Sequence, residues 1–211
     1  AEFIPVAEAT GMVGDLGFWA LETAAQNLEK LPTNLKAVKI AVNVSPMQFH
    51  STALLAQLRT MASRKTFVPA RIELELTETA LHIEEKRFSR MLKDIREMGY
   101  SLAIDDFGSA NSNIARLNGC PVQTIKMDRS LLQSADGVMA AGVVHLGKLL
   151  KMNVVAEGVE TKEQSDWLKS IGCFAHQGFY YSRPLRLEQL NTLPEFVTGE
   201  GRECFDQKHQ T

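Results

Sequence analysis

The strongest constraint on the fold of this 211-residue chain is a regular alternation of short β-rich runs with amphipathic stretches of helical length. The alternation predicts a parallel α/β architecture, because parallel strands need long crossover connections, which are usually helical. An open doubly wound sheet and a closed (β/α) barrel both satisfy the pattern. The expected strands cover residues 38–44, 71–77, 101–106, 124–128, 153–157 and 176–181.

Between these runs, apolar residues recur at helical spacing. The first helix, expected over residues 13–30, has four residues at four-residue intervals on one face: Leu16, Ala20, Ala24 and Leu28. Gly99 is a predicted C-terminal cap, because glycine tolerates the left-handed backbone found at helix ends. A turn is expected at 34–36, and further helices around 54–61, 84–98, 113–117, 136–151 and 162–171.

Polar residues at or near the carboxyl ends of successive strands decide between the two architectures. In a barrel these ends converge around one mouth, where active sites are built, whereas in an open sheet the outermost ends could not share a ligand. The pattern therefore favours a closed (β/α) barrel, formed as one domain over residues 1–211 with a C-terminal tail from about residue 191. The five polar residues are Asn43, Glu75, Asp105, Lys126 and Glu157.

A shared mouth would also hold Asp106, beside Asp105, and so would bring four carboxylates together. Grouped carboxylates repel one another unless cations neutralise them. Oxygen ligands without paired His or Cys favour Mg²⁺ or Mn²⁺, and two such ions are a common means of activating water against a phosphodiester. We expect Ca²⁺ to occupy this site without supporting turnover. Lys126 would orient the attacking water or help to deprotonate it.

Ordinary structural roles are the alternative for each of these residues. Acidic side chains at strand ends are often solvated, and Asp106 can instead cap a following helix. Lys126 can form an ion pair with Asp128 or Glu157. Phe179 and the two tyrosines after it can pack on either side of the last strand, or one of them can flank a base.

Composition excludes some functional classes. The net charge of −2 provides no basic field for a nucleic-acid polymer. The three cysteines lack metal-type spacing, which indicates reduced thiols in a cytoplasmic domain. We expect no membrane-spanning segment in the chain itself, although the parent protein can still be tethered to a membrane.

Seven segments in order resemble the EAL domain family, and together they cover the chain from about Glu2 to Leu190. They are EFIPVAEATG from Glu2, NVSPMQF from Asn43, ELTET from Glu75, AIDDFGS from Ala103, IKMDRSLL from Ile125, VVAEGVETKEQ from Val154 and GCFAHQGFYYSRPL from Gly172. The resemblance implies a modified TIM barrel that binds cyclic di-GMP and, in active members, hydrolyses one phosphodiester bond to give linear pGpG.

The resemblance also implies roles for individual residues. Lys126 matches the lysine that holds the attacking water, and Glu78 matches a glutamate that steadies the loop after the Asp pair. Glu160 and Gln177 resemble residues near the substrate and metals, which implies a catalytic role for Glu160 beside Lys126 and a substrate-binding role for Gln177. Arg183 and Pro184 belong to a substrate-binding segment beside the guanine. The implied metal ligands are Asn43, Glu75, Asp105, Asp106 and Glu157.

The chain departs from the family pattern in two places. The Glu-Ala-Leu motif, on the first barrel strand, would precede residue 1, so that strand is expected to be missing from this chain and hydrolysis by the chain alone is in doubt. The loop after the Asp pair reads DDFGSANSN from Asp105, where the family usually has DDFGTGYSS. In the family this loop couples metal binding to dimerisation.

Three functions therefore stay open. The first is a phosphodiesterase for cyclic di-GMP, forming a homodimer and joined to an upstream sensor or GGDEF-type domain in the parent protein. The second is a degenerate domain that binds the dinucleotide or a protein partner without cleaving it. The third is an unrelated barrel enzyme, such as an enolase-type lyase, which also combines carboxylates with a lysine.

Overall fold

The computed structural model describes residues 3–31, 35, 38–82, 85–109, 117, 119–133 and 137–192 of the chain. Six strands alternate with helices, as the sequence predicts. The strands are β1 Ile40–Val44, β2 Ile72–Thr77, β3 Ser101–Phe107, β4 Thr124–Met127, β5 Asn153–Ala156 and β6 Ala175–His176. The α-helices in the described residues are α1 Ile4–Ala9, α2 Val13–Lys30, α3 Thr52–Ala62, α4 Glu85–Glu97, α5 Val138–Leu150 and α6 Lys162–Ser170.

The six strands form one parallel sheet in the order β1-β2-β3-β4-β5-β6. Each strand therefore pairs with its neighbour in the chain. A doubly wound sheet would instead reverse direction at a switch point, and its strand order would not follow the sequence. The observed order is that of a (β/α)-barrel wall, which agrees with the architecture predicted from the polar strand ends.

The two faces of the sheet differ sharply in chemistry. One face packs against the helices and is apolar, as in Leu74 of β2, Ile104 of β3 and Ile125 of β4, which are fully buried. Side chains alternate across a strand, so residues one position away face the inside of the curved sheet. That inner face carries Glu73, Glu75 and Lys126, so the ionisable residues of these two strands lie inside the curve.

The predicted strand over residues 176–181 is wrong for most of its length. Pairing with β5 involves only Ala175 and His176, after which the chain turns. Hydrogen bonds from the amides of Tyr181 and Ser182 to Gly178 O close the turn, at 3.1 and 3.3 Å. The aromatic residues at 179–181 therefore belong to a turn, which β propensity alone does not reveal.

The predicted helices lie within two residues of their observed ends where the structure describes them. Gly99 has the left-handed backbone expected of a cap, with φ of 94°. The buried face of α2, however, is formed by Val13, Gly17, Leu21, Ala24, Ala25 and Leu28, while Leu16 and Ala20 are only partly buried.

The helix expected near 113–117, most of the turn at 34–36 and the tail beyond residue 192 lie outside the described residues. No helix in the described part of the chain has the length and hydrophobicity needed to cross a bilayer.

Candidate active site

Strand register brings the predicted ligands to one end of the sheet. Asn43 of β1 pairs directly with Glu75 of β2, so their side chains share the inner face. Asp105 of β3 lies two residues beyond Ala103, the partner of Glu75. Glu157 follows β5 directly, and its amide donates to Met127 O at 3.1 Å. Asn43 is exposed, whereas Glu75 is buried.

A β-bulge allows both members of the Asp pair to reach the same site. In a regular strand, neighbouring side chains point to opposite faces. Here Ile104 pairs with Ile125 and Phe107 with Met127, so Asp105 and Asp106 together stand opposite Lys126 alone. Asp106 adopts φ of 53°, the left-handed conformation that turns its side chain back towards the mouth. Carboxylate oxygens of Asp105, Asp106 and Glu157 consequently lie within 4.8 Å of one another.

Lys126 lies at the centre of the carboxylates. Its Nζ is 2.6 Å from Glu75 Oε1 and 2.6 Å from Glu157 Oε1. Asp105 Oδ1 is 3.1 Å away, and the lysine side chain is only 9% exposed. The ion pair with Glu157 expected from the sequence is therefore present, whereas Asp128 instead accepts a hydrogen bond from Ser130 N at 2.9 Å.

The site has more negative charge than Lys126 can neutralise. Burial raises the pKa of Glu75 and of Glu157, and the charge of Lys126 only partly offsets this. Burial, together with the charges of Asp105 and Asp128, raises the pKa of Asp106. Burial disfavours the charged form of Lys126, but hydrogen bonds to Glu157 and Glu75 outweigh it and raise the pKa of the lysine. Three carboxylates contact one ammonium group and a fourth, that of Asp106, lies beside them, which favours the binding of further cations.

The donor set fits hard divalent cations. Buried oxygens Glu75 Oε1 and Asp105 Oδ1 lie 2.6 and 3.1 Å from Lys126 Nζ, so a single ammonium group contacts both. Clustered carboxylates repel one another unless cations neutralise them. Carboxylate and amide oxygens are the ligands that Mg²⁺, Mn²⁺ and Ca²⁺ prefer. The residues present are therefore suited to a metal site.

A cavity of about 320 Å³ opens beside this cluster. Glu160, predicted to be catalytic, and Gln177, predicted to bind substrate, line it together with the cluster residues Asp106 and Glu157. The amide of Gln177 donates to Ala156 O at 2.8 Å, which joins the turn after β6 to the end of β5. The tertiary structure thus brings Glu160 and Gln177 to the carboxylates, as the resemblance implies.

The other predicted site residues lie further out. Glu78 is buried at the start of the 3₁₀ helix Glu78–His82, directly after β2. The loop that it was expected to steady continues beyond residue 109, outside the described residues. Arg183 and Pro184 are exposed and are not among the described residues that line the cavity. Arg183 instead places its guanidinium carbon 4.8 Å from the centre of the Phe179 ring.

Sequence reasoning missed Arg129 as a cavity residue and left Phe179 undecided. Both line the cavity, and Arg129 contributes a basic side chain to its lining. Gly158 allows this arrangement, because a Cβ atom there would meet Arg129 Cβ at 2.5 Å. The position of Arg129 at the carboxyl end of β4 could have identified it, since every strand end in a barrel faces the mouth.

Comparison with known proteins agrees with this geometry. The family profile described as EAL domain matches residues 1–184. The chain is 33% identical over 195 residues to MucR of Pseudomonas aeruginosa, named as a bifunctional diguanylate cyclase/cyclic di-GMP phosphodiesterase. It is 34% identical over 194 residues to NbdA of the same organism, named as a cyclic di-GMP phosphodiesterase. These matches cover 90% and 89% of this chain but only 28% and 25% of the relatives, so the chain spans about a quarter of their length.

Solved structures support the same assignment. A MucR phosphodiesterase complex with c-di-GMP matches with a TM-score of 0.83 and 33% identity, covering 90% of this chain and 79% of that one. A calcium and cyclic di-GMP complex of BlrP1 from Klebsiella pneumoniae matches with a TM-score of 0.67 and 31% identity, covering 82% and 44%. With its sheet order, its carboxylate mouth and these matches, the chain belongs to the EAL domain family.

Proposed function

We propose that this chain forms the catalytic domain of a metal-dependent phosphodiesterase that hydrolyses cyclic di-GMP to linear pGpG. The observation that carries the proposal is the ring of Glu75, Asp105 and Glu157 around Lys126, with Asp106 turned into the same mouth. A site that only recognises a dinucleotide has no need of four clustered carboxylates. The relatives named as phosphodiesterases support this reading of the cluster.

The residues that would hold two divalent cations, Mg²⁺ or Mn²⁺, are Asn43, Glu75, Asp105, Asp106 and Glu157. Bound there, such ions would lower the pKa of water and neutralise phosphate charge. Because these ions would lie beside the cavity, they would direct the scissile phosphodiester to the carboxyl ends of the strands. Calcium would fill the same oxygen site without supporting turnover, in keeping with the calcium complex named for BlrP1.

The chain's own residues would perform the positioning. Lys126 Nζ is held by three carboxylates and would donate a hydrogen bond to the attacking water, fixing it in line with the phosphorus atom. Glu160 and Gln177 line the cavity, where Glu160 would serve as a further catalytic residue and Gln177 would bind the substrate. Exposed Arg183 and Pro184 would contact a guanine at the cavity rim, and Glu78 would support the loop after the Asp pair.

The proposed assembly follows the family. We propose a homodimer in the cytoplasm, joined to an upstream sensor or GGDEF-type domain and binding cyclic di-GMP rather than a nucleic-acid polymer. Residues 1–211 would act as one domain, with a tail from about residue 191. The name of MucR as a bifunctional protein, and the quarter of its length that this chain covers, support a multidomain parent.

Replacing Lys126 tests the proposal. In the full-length protein with Mg²⁺, Lys126→Ala should lower turnover of cyclic di-GMP by roughly 10²- to 10³-fold, because a charged donor to the transition state is lost. Binding should change little, since the loss of a group used mainly in the transition state affects kcat more than ground-state affinity. Chromatography of pGpG and calorimetric titration in Ca²⁺ measure the two effects.

The matched control is Lys39→Ala, which removes a lysine from the other end of the barrel, where Nζ lies 3.9 Å from Glu73 Oε2. Its turnover should stay close to that of the wild type. A wild-type protein that binds cyclic di-GMP but never forms pGpG would make the domain a receptor. One that binds no cyclic dinucleotide would favour a protein-interaction role.

A further inference from the structure

A second polar pair lies inside the curved sheet, further from the mouth than the carboxylate cluster. Thr124 Oγ1 donates to Glu73 Oε2 at 3.1 Å. Thr124 is 5% exposed, and the Glu73 side chain is 15% exposed. Burying a carboxylate costs free energy unless it accepts hydrogen bonds, so a glutamate on this inner face needs such a partner. Neither residue is among the described residues that line the cavity, so the pair lies below the substrate surface.

The pair comes from the same two strands as two members of the cluster. Glu73 and Glu75 lie two residues apart on β2, and Thr124 and Lys126 lie two residues apart on β4. Side chains two residues apart point to the same face of a strand. The ion pair between Lys126 Nζ and Glu75 Oε1, 2.6 Å long, therefore has the Glu73–Thr124 hydrogen bond directly beneath it.

This hydrogen bond joins two strands that are separated by a third. Both β2 and β4 pair with β3, where Ala103 lies opposite Glu75 on one side and Thr124 on the other. Ala103 is fully buried and its side chain ends at Cβ, so side chains from the flanking strands can meet across it. Layers of this kind, built by alternate strands, are typical of a barrel interior. The Glu73–Thr124 bond is thus a direct link between β2 and β4.

Backbone pairing is interrupted just where the distance between β2 and β4 matters. The regular pairing of β3 with β4 stops at Ile104 and Ile125, directly before Lys126. A bulge of this kind disrupts the ladder and lets the strand bend. Thr124 lies on the regular side of the bulge, two residues before Lys126. Its hydrogen bond to β2 therefore ties the two strands together next to the interruption.

The spacing of the two strands affects Lys126 because its side chain is flexible. The ammonium group is carried on a four-carbon stem, so the position of Nζ depends on the groups that hold it. Glu75, on β2, is one of these groups. A change in the distance between β2 and β4 would move Nζ relative to the attacking water. A misplacement of about 1 Å can lower the rate of an enzyme by about 10²-fold.

We propose that Glu73 and Thr124 are positioning residues that set the spacing of Glu75 and Lys126 for hydrolysis. The inference rests on the proposed function, because it assigns a role to groups that act through the same lysine. It concerns the hydrogen bond rather than the charge of Glu73. Lys39 Nζ lies 3.9 Å from Glu73 Oε2, beyond hydrogen-bond distance, so loss of Lys39 leaves the Glu73–Thr124 bond in place.

Removing the threonine hydroxyl tests the positioning role. In the full-length protein with saturating Mg²⁺, Thr124→Val should lower kcat by roughly 10- to 100-fold. The KM, and the Kd for cyclic di-GMP in Ca²⁺, should stay near wild-type values, because the pair lies below the substrate surface. Thr124→Ser should restore most of kcat, since serine keeps the donor. Glu73→Gln should also keep kcat, because its amide oxygen still accepts the hydrogen bond.

A double-mutant cycle separates the hydrogen bond from general damage to the barrel. Glu73→Leu breaks the same bond from the other side and should lower kcat by a similar factor. The double variant Glu73→Leu/Thr124→Val should lose no more kcat than either single variant, because all three lack one shared interaction. Additive losses would indicate two independent structural defects and would overturn the inference. If melting curves show that Thr124→Val is unfolded, Thr124→Ala compared with Thr124→Ser makes the same test.

The matched control is Thr66→Val, which removes an exposed threonine–glutamate hydrogen bond of the same 3.1 Å length, to Glu29 Oε1. Its kcat, KM and Kd should equal those of the wild type. A wild-type kcat in Thr124→Val would overturn the positioning role and leave the proposed function intact, as would a raised KM at unchanged kcat. A wild type that binds cyclic di-GMP but never forms pGpG would overturn the proposed function and the positioning role together.

Discussion

At the scale of single residues, the conformation of Asp106 decides what the Asp pair can do. An aspartate with φ of 53° occupies a region that costs a non-glycine residue about 1 kcal/mol or more. The same conformation makes the bulge opposite Lys126 and turns a second carboxylate into the mouth. The strained backbone at residue 106 is therefore tied to the metal-binding geometry.

We predict that Asp106→Gly separates stability from metal binding. Glycine adopts positive φ freely, and the substitution also removes one of the repelling carboxylates, so the metal-free protein should gain about 1 kcal/mol in unfolding free energy. Affinity for Mn²⁺ should fall at the same time, because one ligand is lost. Denaturant titration in EDTA and calorimetric titration with Mn²⁺ measure the two quantities.

Lys151→Gly is the matched control for this substitution. Lys151 also has positive φ, 57°, but it caps the end of α5 far from the mouth. Its replacement should stabilise the protein similarly and leave Mn²⁺ affinity unchanged. A weaker metal affinity in Lys151→Gly, or an unchanged one in Asp106→Gly, would contradict the assignment.

At the scale of elements, the short turn after β6 positions part of the cavity wall. Two residue pairs join β6 to β5, and the chain then turns at Gly178 onto Val159. This contact places Gln177 and Phe179 beside Glu157 and Glu160. This part of the cavity wall is therefore formed by two backbone segments in close contact, and the contact requires glycine at residue 178.

We predict that Gly178→Ala displaces this turn. The added Cβ would meet backbone atoms of Val159 at 2.1 to 2.7 Å, so the two segments must separate at a cost of roughly 1–3 kcal/mol of stability. The KM for cyclic di-GMP should rise because the cavity wall moves. Gly142→Ala, in α5 with no atom within 4 Å of the new Cβ, should instead stabilise by about 0.5–1 kcal/mol. Thermal unfolding and steady-state kinetics of both variants check the contrast.

At the scale of the whole molecule, the sequential sheet gathers acidic residues from two strands, β2 and β3, and from the segment after β5 into one mouth. The chain as a whole carries a net charge of only −2, yet four carboxylates face one lysine at the cluster. Charge is therefore unevenly distributed, and the fold concentrates it where cations can bind. Stability should then depend on divalent cations and on pH.

We predict that Mg²⁺ at about 100 times its Kd raises the unfolding free energy by about 2.7 kcal/mol and Tm by about 5–11 °C. The rise should shrink as pH falls from 8 towards 5. In the metal-free protein the pKa values of Glu75 and Glu157 lie above their ordinary 4.5, so protons bind the folded state more tightly than the unfolded state. Their stabilising contribution is complete below pH 4.5 and lost as pH rises through the raised pKa values.

Calorimetric melting in Mg²⁺ and in EDTA across this pH range measures the dependence. Glu75→Gln serves as the reference, because it keeps the shape of the side chain but loses the charge, and its response to Mg²⁺ should be smaller. A Tm that does not respond to Mg²⁺ at any pH would contradict the proposed metal site.

The sequence by itself determined the alternation of strands and helices and the residue types at the strand ends. Hydrophobic periodicity is a local property, so the helix over Val13–Lys30 and the strand over Ile72–Thr77 could be predicted closely from residues near in the chain. The family likewise follows from short motifs in order. The convergence of Glu75, Asp105 and Glu157 required one further step, the rule that parallel strand ends meet at a barrel mouth.

Tertiary structure alone decided the bulge at Asp105–Asp106, the end of β6 at His176 and the position of Phe179 in the cavity wall. Each depends on contacts between segments far apart in the chain, such as Gly178 against Val159, and no local pattern encodes them. The aromatic run after Gly178 has the β propensity of a strand, but the close packing of the glycine on another segment outweighs it. The β propensity of a segment depends on residues adjacent in the sequence, whereas the candidate site is formed by residues that become close only when the chain folds.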